Sequence, residues 1–251
     1  MQLTEHVYLI GSGNMGFNLT DVFDCHIYLI DGGDELAIID AGAGMGVPDI
    51  VRHIQAHGFE LSRVRHLILS HAHGDHAGGA NRLRMALDQP TIYMHKDCAT
   101  FLREGDEQAF SLPGAREAGI YPADYQLEAC PVDVDIQEDD HIQIGQLQLR
   151  VIDTPGHSIG HTSFLMQAAG KRILFGSDLV FFGGEILLQN IWDCDLQAQV
   201  TSLQKFRDAQ IDVLLPGHLA FSLQHGQRHL DAALKAVDAL QAPPNMAYPW
   251  V

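Results

Sequence analysis

The stretch Ser70-His71-Ala72-His73-Gly74-Asp75-His76-Ala77-Gly78-Gly79 constrains this chain more than any other, because three imidazoles and a carboxylate fall within six positions. It comes directly after Leu67-Ile68-Leu69, an apolar run that reads as a buried strand, and its glycines read as a turn into a helix. Side chains alternate along an extended chain, so His71 and His73 share one side. Asp75 and His76 then fall on the turn, where two more donors can converge. Imidazoles this close repel one another when protonated. A divalent cation removes the conflict, since neutral imidazole nitrogen and carboxylate oxygen are both zinc ligands. The competing reading is a His-rich surface loop, and the rest of the chain weighs against it.

Three later segments repeat the pattern of an apolar β-run ending in a metal-competent residue. Leu149-Arg150-Val151-Ile152 leads into Asp153-Thr154-Pro155-Gly156-His157, and Arg172-Ile173-Leu174-Phe175 into Gly176-Ser177-Asp178. Ile211-Asp212-Val213-Leu214-Leu215 leads into Pro216-Gly217-His218. Turns with Gly or Pro at strand ends aim side chains from a rigid scaffold. A lone His after a strand is more often structural. Together with the first cluster, however, these segments give seven candidates, enough for two metals.

This set of residues resembles the metallo-β-lactamase-fold hydrolase superfamily, in its glyoxalase II-like or lactonase-like branch. The resemblance runs from the segment Cys25 to Asp40 through His218, and the His-x-His-x-Asp-His motif stands intact as His71, His73, Asp75 and His76. It implies an α/β fold, an αββα sandwich of two mixed β-sheets flanked by helices. It also implies a partition of ligands: His71, His73 and His157 on one metal, Asp75, His76 and His218 on the other, and Asp178 bridging both. Asp40, in Ile38-Ile39-Asp40-Ala41-Gly42, matches the family's early Asp, which supports the site without ligating it. The implied cofactors are two divalent metal ions, zinc first, with iron or manganese as alternatives.

Two metals imply hydrolysis. Metal binding can bring the pKa of water from about 15.7 to about 7, so a metal-bridging water is the expected nucleophile. One metal would polarise a carbonyl and the other would stabilise the departing alkoxide or thiolate. Asp75 is the expected catalytic residue, orienting the nucleophile while it coordinates.

With 251 residues and 46% hydrophobic content, one domain spanning 1–251 is expected, with an insertion at about 96–137 as a candidate lid. The formal net charge of −17 argues against nucleic acid as a partner. No apolar run approaches the roughly 18 residues needed to span a bilayer, so no membrane partner is expected. The start, Met1-Gln2-Leu3-Thr4-Glu5-His6, lacks a basic segment leading into an apolar one, and a cytoplasmic location is expected. Cys25, Cys98, Cys130 and Cys194 are dispersed and read as reduced thiols. The expected partner is a small-molecule substrate. The oligomeric state stays open, a homodimer being one option.

Gly11-Ser12-Gly13-Asn14-Met15-Gly16 has dinucleotide-loop spacing, but residues 25–39 read as a hairpin where such a site needs a helix. Nucleotide binding is rejected. His161 is the remaining histidine with the best claim to a supporting place behind the ligands. Phe181 and Phe182, close after Asp178, are candidates for a substrate-pocket wall, with core packing as the alternative. Helices are expected at 48–57, 81–87, 196–209 and 228–240, and a short strand at 91–94. The Pro- and Gly-containing segment 96–137 reads as less regular, its Phe101, Leu102, Phe110, Leu112, Tyr121 and Tyr125 forming either a lid or substrate wall or a satellite cluster under a long loop.

The resemblance narrows the substrate. β-Lactamases of this fold usually carry Cys or Ser where Asp178 stands, which counts against antibiotic hydrolysis. Glyoxalase II adds a helical glutathione-binding domain, whereas only a loop, one helix and a short tail come after His218 here. Acyl-homoserine lactonases often have Tyr just after the bridging Asp, and this chain has Leu179, Val180 and Phe181. The reading is therefore a dinuclear hydrolase of a small ester, thioester or lactone. The alternatives are a mononuclear iron sulfur dioxygenase of the persulfide dioxygenase kind, a β-lactamase, or a non-catalytic metal-binding scaffold.

Overall fold

A computed structural model describes residues 1–247, which divide into two compact units. The first comprises Met1–Ile136 with Ile144–Gln146, and the second Gln137–Gln143 with the described chain from Leu147 onward.

The first unit is built on a mixed six-stranded sheet in the order β1-β2-β3-β4-β5-β6. Its elements are β1 (Val7–Gly11), β2 (Ile27–Asp31), β3 (Leu36–Ile39), α1 (Val47–Ala56), β4 (Val64–Ile68), α2 (Gly74–Ala77), α3 (Ala80–Ala86), β5 (Thr91–His95), α4 (Lys96–Glu104), α5 (Leu112–Glu117) and β6 (Val134–Ile136). β1, β2 and β3 pair antiparallel, which confirms the predicted hairpin, and β3 to β6 run parallel. β3 reads Leu-Ala-Ile-Ile with every residue buried, the pattern of a strand covered on both faces. α1 begins with Pro48 in its first turn, where a missing N–H costs nothing, and buries Val47, Ile50 and Ile54. Each fully buried Ile contributes roughly 1.5–3 kcal/mol of transfer free energy.

The second unit carries a mixed five-stranded sheet in the order β11-β10-β9-β8-β7. Its elements are β7 (His141–Ile144), β8 (Leu147–Asp153), β9 (Thr162–Ala168), β10 (Lys171–Ser177), α6 (Leu196–Gln204), β11 (Val213–Pro216) and α7 (Gln227–Asp238). α6 and α7 close over an apolar cluster that includes Leu174, Leu203, Phe206, Leu214, Leu230 and Leu234. The chain therefore has the two mixed β-sheets flanked by helices that the sequence predicts. Among the described residues, no helix is long and apolar enough to cross a membrane.

Strand direction explains why donors gather. β3 and β4 are parallel with Ile39 opposite Ile68, so Asp40 and the metal motif leave the sheet side by side at carboxyl ends. β10 and β11 are parallel with Ser177 opposite Pro216, which brings Asp178 and His218 out together. β8 pairs antiparallel with β9, and β9 with β10, so the carboxyl end of β8, leading to His157, lies at that same edge. Loops at carboxyl strand ends are where α/β sheets build sites.

The less regular segment 96–137 carries more secondary structure than the sequence reading placed in it. α4, α5 and β6 fall within it, and β6 extends the sheet by pairing parallel with β5. Its Leu102, Phe110, Leu112, Tyr121 and Tyr125 belong to the main core of the first unit and form no satellite cluster. The helix expected at 196–209 is also shorter, ending at Gln204. Beyond it, Asp208 and Gln210 take left-handed φ values of 56°, which no helix tolerates.

Candidate metal centre

In the first unit, the donors are ordered by their neighbours. Asp40 stands at φ 63°, a left-handed conformation that Asp tolerates better than most residues. That turn points its carboxylate back at the motif. Oδ1 accepts from the Ser70 N–H at 2.8 Å, and Oδ2 accepts from the Ser70 hydroxyl at 2.9 Å. Oδ2 also lies 2.8 Å from His76 Nδ1. A carboxylate only accepts, so His76 Nδ1 carries the proton and Nε2 is left as a lone pair. The Ser70 hydroxyl spends its proton on Asp40, so its oxygen accepts from His71 Nδ1 at 3.0 Å. His71 Nε2 is then also a lone pair, and it faces His73 Nδ1 at 3.1 Å. His76 Nε2 faces Asp75 Oδ2 at 3.6 Å.

Two neighbours complete this half. Cys25 Sγ lies with Asp40 and His76 in a buried group whose donor atoms fall within 4.8 Å of one another. Burial pushes its thiol well above the usual cysteine range, so it enters as a neutral neighbour. The Tyr121 hydroxyl, supplied by the segment between α5 and β6, donates to Asp75 Oδ1 at 3.1 Å. Burial, and after it the charge of Asp75, holds that phenol far above the ordinary tyrosine range, so it remains a donor.

The second unit repeats this logic with different partners. His157 Nδ1 lies 2.7 Å from the Leu187 carbonyl, which fixes the proton there and leaves Nε2 as an acceptor. That Nε2 stands 3.4 Å from Asp178 Oδ2, and His218 Nε2 stands 3.6 Å from the same oxygen. Asp178 thus lies between two imidazoles. Its backbone N–H donates to His161 Nε2 at 3.1 Å, and His161 Nδ1 is 2.8 Å from Thr154 Oγ1. His161 therefore touches the backbone of Asp178. Ser177 and Leu219, which flank Asp178 and His218, sit at left-handed φ values of 44° and 62°. Such outliers cost about 1–3 kcal/mol each and concentrate at functional sites.

The donor chemistry fits divalent metals. His71, His76 and His157 each have one ring nitrogen tied to a hydroxyl, carboxylate or carbonyl and present the other as a lone pair. Metal-binding histidines are held in this way, the outer partner fixing tautomer and ring orientation. The burial of His71, His76, His157, Asp178 and His218 removes competing water.

Phe181 is fully buried with its ring centroid 6.3 Å from that of His218, while Phe182 is 43% exposed and leans on His229 of α7 at 4.3 Å. Sequence reasoning did not find Ser70 or Thr154 as orienting partners, nor Tyr121. Ser70 adjoins the motif and could have been found; Tyr121 has no local signal.

Comparison with known proteins places this architecture. A family profile described as Metallo-beta-lactamase superfamily matches residues 20–218. A relative in Caenorhabditis elegans, named Beta-lactamase-like protein 2 homolog, is 28% identical over 196 residues, 76% of this chain and 54% of its own. A Hydroxyacylglutathione hydrolase of Cereibacter sphaeroides is 30% identical over 132 residues, 50% of this chain and 40% of its own. The chain spans about half the length of these relatives. Among solved structures, a subclass B3 metallo-beta-lactamase of Bradyrhizobium japonicum superposes with a TM-score of 0.70 at 19% identity, over 96% of this chain and 92% of that one. At that identity the likeness is one of fold.

Proposed function

Because this chain belongs to the metallo-β-lactamase superfamily, we propose that it is a dinuclear, zinc-dependent hydrolase cleaving a small ester, thioester or lactone. The observation that carries the reading is the proton inventory of His71, His76 and His157. One nitrogen of each is committed to Ser70, Asp40 or the Leu187 carbonyl, and in the neutral rings the other is a lone pair, facing His73 from His71, Asp75 from His76 and Asp178 from His157. In this reading His71, His73 and His157 hold one ion, Asp75, His76 and His218 hold the other, and Asp178 joins the two. When bound, the ions would supply an acidified water and Lewis-acid polarisation of the substrate carbonyl.

The chain's own residues prepare that chemistry. Asp40 and the Leu187 carbonyl hold their imidazoles in the binding tautomer before any cation arrives, which reduces the reorganisation needed on binding. Asp75 would orient the attacking water while it coordinates through Oδ2, the oxygen not engaged by Tyr121. The formal net charge of −17 favours an uncharged or weakly charged substrate over a polyanion.

Elemental analysis of protein purified without added metal or chelator tests the reading. About two zinc ions per chain, with turnover in a lactone and thioester screen, is the expected result. About one iron and little zinc would replace the hydrolase with an oxygen-consuming iron enzyme.

A further inference from the structure

The segment between α5 and β6 is held against the metal motif by two stacked tyrosines. The rings of Tyr121 and Tyr125 lie 4.8 Å apart at 18°. The Tyr125 hydroxyl donates to the Ala43 carbonyl at 3.0 Å and lies 3.3 Å from that of Gly74. Arg116 fastens the segment from behind, pairing with both oxygens of Glu107 at 3.1 and 2.6 Å and donating to the Tyr125 carbonyl at 2.6 Å. Tyr121 is only 8% exposed, with Phe23 packed at 5.8 Å. A Cβ on Gly74 would meet the Tyr121 hydroxyl oxygen at 3.0 Å, so the motif is shaped to admit that phenol.

The Tyr121 hydroxyl meets the candidate site at Asp75, donating to Oδ1 at 3.1 Å. Asp75 Oδ2, by contrast, faces His76 Nε2 at 3.6 Å. The two oxygens of one carboxylate are thereby given different tasks. Without such a partner, the carboxylate of Asp75 in α2 would have a last torsion that is broad and roughly two-fold.

We propose that Tyr121 is a positioning residue for Asp75, its phenol fixing the carboxylate so that Oδ2 alone is presented to the metal and the attacking water. This deepens the proposed function and rests on Asp75 being a ligand. It also makes 96–137 a fixed buttress of the site in place of a moving lid.

Zinc alone is the probe, titrated against a competing chelator into wild type, Tyr121→Phe, Asp75→Ala and the double variant. Phenylalanine keeps the ring, the stack and the core volume, so the fold is retained. Loss of a partner behind a metal ligand costs about 10–100-fold in affinity, and a weakening near tenfold of one zinc is expected in Tyr121→Phe. In the Asp75→Ala background the same substitution should change zinc affinity less than about twofold, because the group it positions is gone. Packing alone would not produce that coupling. Wild-type zinc affinity in Tyr121→Phe, beside a zinc-depleted Asp75→Ala, would overturn the positioning role and leave the metal assignment standing. Unchanged zinc content in Asp75→Ala would remove Asp75 from the ligands, and the positioning role with it.

Discussion

The Asp40 carboxylate and the His76 imidazole, 36 residues apart in sequence, meet at 2.8 Å because parallel strands β3 and β4 end side by side. The contact decides which nitrogen of His76 carries the proton, and hence which can bind a cation. It is a connection made by sheet register, not by local sequence.

Asp40→Asn tests that control. An amide presents an N–H₂ where His76 Nδ1–H or Ser70 now finds an acceptor, so one of these donors loses its partner or His76 changes tautomer. A tenfold to roughly 100-fold loss in zinc affinity is expected, with about 1–3 kcal/mol lost from the metal-free fold. Chelator competition and thermal melts read the two effects separately, and unaltered affinity would contradict the tautomer argument.

Asp178→Ala removes the oxygen lying 3.4 and 3.6 Å from two imidazoles. Zinc content should fall from about two to one or fewer per chain, with turnover abolished, while circular dichroism stays close to wild type. Full zinc loading and turnover in this variant would refute its joining role. His161→Ala should be milder, since the His161 ring meets Asp178 at its backbone N–H and is otherwise tied to Thr154 Oγ1. A loss as large as that of His157→Ala would promote it to a ligand.

Legibility in the sequence tracks the range of the forces involved. The carboxyl ends of β4, β8, β10 and β11 were legible because an apolar run leading into a Gly- or Pro-containing turn is a local signal. The same holds for α1 and α7, whose apolar spacing placed them within about two residues. Tyr121 was not legible as a neighbour of Asp75, since a contact across 46 positions leaves no periodicity. β6 was missed because Val134-Asp135-Ile136 is too short to alternate visibly and owes its existence to pairing with β5. α6 was overextended because its amphipathic pattern continues past the point where backbone geometry breaks it.

Gly78→Ala tests whether the segment carrying Tyr125 is fixed. A Cβ at this position would overlap both the Tyr125 hydroxyl oxygen and the Gly74 carbonyl oxygen. One of these contacts is with backbone, so a side-chain rotation cannot relieve both. Overpacking of this kind costs about 1–3 kcal/mol or more, read as a lower denaturation midpoint. Combining it with Tyr125→Phe should restore part of the loss, since the phenol oxygen is then absent. No recovery would place the strain on Gly74 alone.

The pH dependence of stability should carry the signature of Asp24. Its side chain is buried, with Oδ1 accepting from the Ala43 N–H at 2.8 Å. Burial raises its pKa to about 6, chiefly by penalising the charged form, against hydrogen bonds that pull it down. The folded value exceeds the unfolded one, so folding favours the protonated acid. Its stabilisation is complete below about pH 4 and is lost as pH rises through about 6. A rise from 3.8 to about 6 corresponds to about 3 kcal/mol. Asp24→Asn keeps an oxygen for Ala43 and cannot titrate. Relative to wild type, the variant should therefore gain up to about 3 kcal/mol between pH 4 and 7, measured by denaturant unfolding at each pH. Parallel curves for the two proteins would mean that Asp24 folds already ionised, with solvent or a cation reaching Oδ2.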